Sequence, residues 1–223
     1  MKKLEVYLEL GSKRTFAAAL DWPGWCRAGK DESSALQALF DYAPRYSKII
    51  RPARLGFEAP KDIAAFEVME RLKGNATTDF GAPDIAPKID EKPIDDEALR
   101  HIQAILKACW KAFDEAIETA EGKTLRKGPR GGGRTQTGIR EHVLGSESSY
   151  LGQLGGKAEK PESAESLREA ILKTLEAAAH GEIPAHGPRG GKRWLPRYFV
   201  RREAWHVLDH IWEIEDRLGE AEE

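Results

Sequence analysis

Beyond residue 95 the chain carries four separate runs in which apolar residues recur every three or four positions, and no other feature constrains the fold as strongly. The first run predicts a helix over 96–121, with Leu99, Ile102, Leu106, Cys109, Phe113 and Ile117 on one stripe. Asp95, Asp96 and Glu97 stand at its positive end, where acids are favoured. The second predicts a helix over 137–154 that buries Ile139, Val143, Ser146, Tyr150 and Leu154. The third covers 162–180, through Leu167, Ile171, Leu175 and Ala178. The fourth covers 197–218, through Ala204, Val207, Leu208, Ile211, Ile214 and Leu218. Each stripe needs a partner, so the four together predict an all-α four-helix bundle over 95–223.

The first 74 residues have a different period. LEVYLEL (4–10) alternates strictly, with Leu4, Val6, Leu8 and Leu10 on one face, as a half-buried strand does. Gly11-Ser12-Lys13 reads as a turn, RTFAAAL (14–20) as a second strand, and Pro23-Gly24 as another turn. Asp31 or Ser33 caps a helix over about 33–43, and Pro44 and Pro52 limit it and the loop after it. AAFEVMERL (64–72) fits a strand or a helix, with the strand preferred. Residues 75–94 hold prolines and scattered acids without a periodic apolar face, which marks a linker. The expected class is α+β: a small β/α domain over 1–74, a linker, then the bundle.

Composition narrows the function classes. Of 223 residues, 40% are hydrophobic, enough for a core and too many for a disordered chain. No apolar run reaches the ~18–20 residues of a membrane span. Acids interrupt the apolar stretch after Lys2 and Lys3, so no signal peptide is expected, and the location is expected to be cytoplasmic. Cys26 and Cys109 are too isolated for a disulfide framework. The formal net charge of −2 gives no global attraction to nucleic acid. Basic residues do concentrate over 123–140 and 187–202, around two copies of GPRGG at 128–132 and 187–191.

Histidines carry the chemical signal. His206 and His210 lie at i and i+4 of the last helix, one above the other, where they can share one ion. They flank the apolar stripe, and Glu213 and Arg217 continue their row. His142 lies beside the stripe of the second helix and can point at them across the bundle. Three imidazoles favour Zn²⁺, Ni²⁺ or Fe²⁺ over Mg²⁺ or Ca²⁺ and leave an open position for water or substrate. Of the others, His101 is expected to face solvent, His180 to sit at a helix end and His186 in a Pro/Gly loop. Trp205 and Trp212 occupy the face opposite His206 and are expected to pack on the N-terminal domain, where Trp22 and Trp25 lie.

TGIREHVLGSESSYLGQL (137–154) and RREAWHVLDHIWEIEDRL (201–218) resemble the DinB-like superfamily of metal-binding four-helix bundles, over about 95–220. That resemblance implies an up-down-down-up bundle with a divalent metal on His142, His206 and His210. It also implies a thiol-dependent transferase or isomerase, or a hydrolase, using a low-molecular-weight thiol and a small-molecule substrate. LEVYLEL with LDWPGW and GKDESSALQAL resembles the HicB-like fold, over about 4–50. In an enzyme, Glu213 would orient a ligand or act as base, and Arg134, Arg140, Arg193 and Arg202 would hold an anionic substrate. The alternative is a non-enzymatic module with a vestigial metal site that binds a protein partner, a second copy of itself, or, less in keeping with its charge, nucleic acid.

Overall fold

A computed structural model describes residues 3–127, 133–158 and 163–218. The first GPRGG copy and the end of the acidic C-terminal tail fall outside the described residues. The chain begins with a four-stranded mixed sheet in the order β3-β2-β1-β4: β1 Leu4–Leu10, β2 Thr15–Ala19, β3 Cys26–Gly29 and β4 Phe66–Lys73. β1 pairs antiparallel with β2 and parallel with β4, with a register shift opposite Val6 and Tyr7. The preferred strand reading of 64–72 holds. β3, four residues with no clear alternation, has no signal of its own in the sequence.

The helix α1 (Glu32–Asp41) starts where Asp31 accepts from the Ser34 amide while the Ser34 hydroxyl reaches back, a capping box that satisfies two free amides. Pro44 does not open a loop. It stands in the first turn of a further helix, α2 (Ala43–Ile50), where its missing N–H costs nothing. These two helices cover one sheet face around Val6, Leu8, Ala17, Trp25, Leu39 and Tyr46.

The opposite face, Tyr7, Phe16, Ala18, Leu20 and Cys26, packs on Trp205 of the last helix. Phe16 and Trp205 meet edge to face with ring centroids 6.1 Å apart, and Trp212 meets Tyr42 at 4.9 Å. Both tryptophans therefore dock the N-terminal unit, as their placement predicted. At the Pro23-Gly24 turn, Gly24 has φ +89°, and a Cβ there would lie 2.7 Å from Leu208 and 2.9 Å from Ala204. Glycine is required twice over, for the backbone and for the contact with the helix.

Residues 75–94 are packed between these parts. They form the short helix α3 (Ala76–Phe80), and Asp84 and Ile85 donate backbone N–H groups to the buried Glu9 carboxylate at 2.9–3.0 Å. Asp90 is buried and accepts from Arg201 Nε at 2.8 Å.

The C-terminal part contains four long helices: α4 Asp96–Thr119, α5 Gln136–Leu154, α6 Ala164–Ala179 and α7 Pro196–Leu218. Their ends define their directions. Arg197 donates to the carbonyls of Lys92 and Pro93, and Arg217 to that of Arg126, so α7 runs with α4. Arg217 also reaches the Arg134 carbonyl, and the Trp194 amide bonds Gln153, so α5 runs against α7. His180 meets Asp96 and Arg168 meets Asp114, so α6 runs against α4. The order is up-down-down-up.

One expected face is wrong by a residue. The buried side chains of α5 are Ile139, Val143, Glu147, Leu151 and Leu154, with Glu147 at the core position assigned to Ser146 and Tyr150 only half-buried. His101 is also not turned to open water. Its half-buried ring lies 5.2 Å from Trp22.

Candidate metal centre

The antiparallel seam of α5 and α7 brings His142, His206 and His210 together. One ligand nitrogen from each lies within 4.8 Å of the others. The ring centroids are 5.0 Å apart for His142 with either partner and 4.7 Å for His206 with His210. His206 Nε2 stands 3.1 Å from His142 Nε2. Two imidazole nitrogens on one tetrahedral ion, each at ~2.0–2.1 Å, are about 3.3 Å apart, so this spacing fits a shared cation. His206 and His210 are buried and His142 is half-exposed, which puts the cluster at the edge of the bundle.

The electrostatics favour neutral rings, the form that binds metal. Burial, then the neighbouring His210 and His142, push the His206 pKa down to about 2. His142 is also lowered, first by burial and then by Arg134. His210 Nδ1 bonds Glu213 Oε2 at 2.7 Å, which leaves its Nε2 for the cluster. Glu213 is held below the ordinary carboxylate range, chiefly by that bond to His210, and its Oε1 accepts from Arg217 at 2.6 Å. Carboxylate, imidazole and cation site thus form a chain in which the carboxylate fixes the ring. The three imidazoles fit a divalent metal of the Zn, Ni or Fe class by donor type and spacing.

The four arginines separate. Arg134 and Arg202 lie close enough to depress His206. Arg202 also stands over the Tyr150 and Trp205 rings, at 5.8 and 5.0 Å, and donates to the Pro83 carbonyl. Arg140 lies in a cleft with Ser163 and Leu167. Arg193 donates to the Pro184 carbonyl. The guanidinium groups of 193, 197, 201 and 202 each donate to at least one internal partner. Both cysteines are buried, with their thiol pKa values pushed up by that burial.

Sequence reasoning missed the polar group next along the seam. Glu147 and Glu203 are fully buried, and Arg168 nearly so. Their only signal was a charged residue falling on an apolar stripe.

No protein-family model, no curated protein and no solved structure matches this chain. The DinB-like and HicB-like resemblances therefore rest on the residues quoted for them. No described helix is long and apolar enough to cross a membrane.

Proposed function

We propose that the chain is a metal-dependent protein whose centre is His142, His206 and His210, with a Zn, Ni or Fe ion completed by water or a small-molecule substrate. The observation that carries this reading is the convergence of three imidazoles from two helices, with His210 fixed by Glu213. Such an ion supplies Lewis acidity and lowers the pKa of a bound water or thiol. The chain's own groups do the rest. Glu213 orients His210 and takes charge from it, Arg217 holds Glu213, and Arg134 and Arg202 favour an anionic substrate beside His206. The resemblance to the DinB-like superfamily points to transfer or isomerisation with a low-molecular-weight thiol, with hydrolysis as the related chemistry. Both cysteines are sealed in the core, so that thiol comes from outside the chain.

Elemental analysis of protein purified without a nickel column tests the reading. The expected content is about one equivalent of Zn, Ni or Fe, lost in both His142→Ala and His206→Ala. A wild-type chain that takes up no metal even on reconstitution would overturn it and leave a binding module without chemistry.

A further inference from the structure

One layer along the seam from the imidazoles lies a second cluster. Glu147 of α5 and Glu203 of α7 are both fully buried, and each carboxyl is near enough to shift the other's titration. The groups facing them come from every helix of the bundle. α4 supplies Cys109, Trp110 and Asp114, α5 supplies Tyr150, and α6 supplies Arg168. Trp110 Nε1 donates to Glu203 Oε1 at 3.2 Å. Arg168 Nε stands 3.6 Å from Glu147 Oε2, and its Nη1 is given to Asp114 at 2.7 Å.

The hydrogen inventory does not close with two ionised acids. Among the described residues, no donor reaches either oxygen of Glu147 or Oε2 of Glu203 within hydrogen-bonding distance, and Arg168 keeps Nε and Nη2 unpaired, with Nε 3.6 Å from Glu147. The two other buried carboxyls differ. Glu9 accepts from the Thr78 hydroxyl and two backbone amides, and Asp90 accepts from Arg201. Charge gives the same answer. One guanidinium, already shared with Asp114, cannot neutralise two adjoining carboxylates in a dry core.

We propose that Glu147 and Glu203 hold one proton between them, and that this acid–carboxylate pair is a latch that clamps α5 to α7. Glu203, the acid farther from the guanidinium, carries the proton and donates it to Glu147, the carboxylate beside Arg168. A carboxyl–carboxylate hydrogen bond is short and charge-assisted, and it joins the two helices that present the imidazoles. When the proton leaves, two like charges face each other on those helices and the seam opens. The latch depends on helix packing alone and stands whether or not the imidazoles hold a metal. Burial raises both carboxyl pKa values. The folded state therefore binds more protons than the unfolded chain above the ordinary carboxyl range, and stability falls as pH rises through the raised values.

The test is infrared spectroscopy of the full chain in D₂O at neutral pH, together with urea unfolding against pH. The wild type is expected to show the carbonyl band of a neutral carboxylic acid, absent from Glu203→Gln. The amide of that variant replaces the O–H donor and leaves nothing to titrate. Above the ordinary carboxyl range the folding constant of the wild type relative to Glu203→Gln is expected to fall as pH rises, by up to about tenfold per pH unit. No such band in the wild type overturns the shared proton, whatever the variant does. A band that persists in a folded Glu203→Gln also overturns it. A band with parallel stability curves for the two proteins overturns the latch.

Discussion

The two polar clusters on the α5–α7 seam are made of opposite materials. The imidazoles stand at the edge of the bundle, with His142 half-exposed, and burial lowers the pKa of His142 and His206. The carboxyls of Glu147 and Glu203 are acids, and they stand at full burial behind Arg168 and Trp110. Neutral rings can gather at an open edge without a counter-charge, and an open edge is what a ligand needs. Two acids can gather in a core only with a proton and a cation. The clusters therefore respond to pH with opposite signs, and each perturbation below acts on one and spares the other.

Removing the cation acts hardest. Arg168→Met leaves the buried Glu147 carboxylate without a counter-charge and is expected to destabilise the fold by about 3–5 kcal/mol at pH 8. Part of that loss should return at lower pH, where Glu147 takes up a proton instead. Urea unfolding at both pH values measures this, and equal losses at both would place the cost in packing.

On the histidine side, Glu213→Gln is expected to weaken metal binding by about 10–100-fold while the fold stays intact. The variant removes the charge that fixes His210 and leaves all three ligands in place. Competition against a chelator of known affinity reads the change. An affinity equal to wild type would mean that Glu213 only anchors Arg217.

The difference between the clusters also governs what could be read from sequence. The imidazoles were legible because i, i+4 spacing on one helix and a flank position on another are matters of angle, and α5 and α7 are regular. The strands of LEVYLEL and RTFAAAL and all four long helices were legible by their periods. Glu147 and Glu203 were not, because the same period that finds a stripe assumes that charges lie off it. The α5 stripe read through Ser146 and Tyr150 passes beside Glu147, the acid that fills the core position. α2 has no clear signal because Pro44 reads as a stop in the sequence, whereas it stands in the first turn of that helix. The packing of 75–94 depends on contacts with Glu9 and Arg201, far away in the chain, which no local pattern contains.

A smaller effect separates the clusters on the acid side. The His206 pKa lies far below that of a free imidazole, so the unfolded chain takes up a proton first as pH falls. The stability this ring contributes is complete above the unfolded value and is lost as pH falls toward the folded one. For the metal-free chain the loss should reach about 1–2 kcal/mol by pH 5, and His206→Gln should flatten it. The carboxyl pair moves the other way over the same range, so Glu203→Gln should leave this acid limb steeper than in wild type. An acid limb unchanged in His206→Gln would assign it to other groups.

The smallest effect concerns the outer face of Arg168. Asp114 is about half exposed and takes one N–H of the guanidinium at 2.7 Å, while Glu147 beneath it is fully enclosed. Solvent screens the outer pair, so Asp114→Asn should cost only about 0.2–1 kcal/mol. Asp114 also competes with Glu147 for Arg168. Its removal should strengthen the inner pair, lower the pH at which the acid pair loses its proton, and shift the alkaline loss of stability downward. If Asp114→Asn instead cost as much as Arg168→Met, the guanidinium would be held mainly from outside, and the buried acids would owe their neutrality to the proton alone.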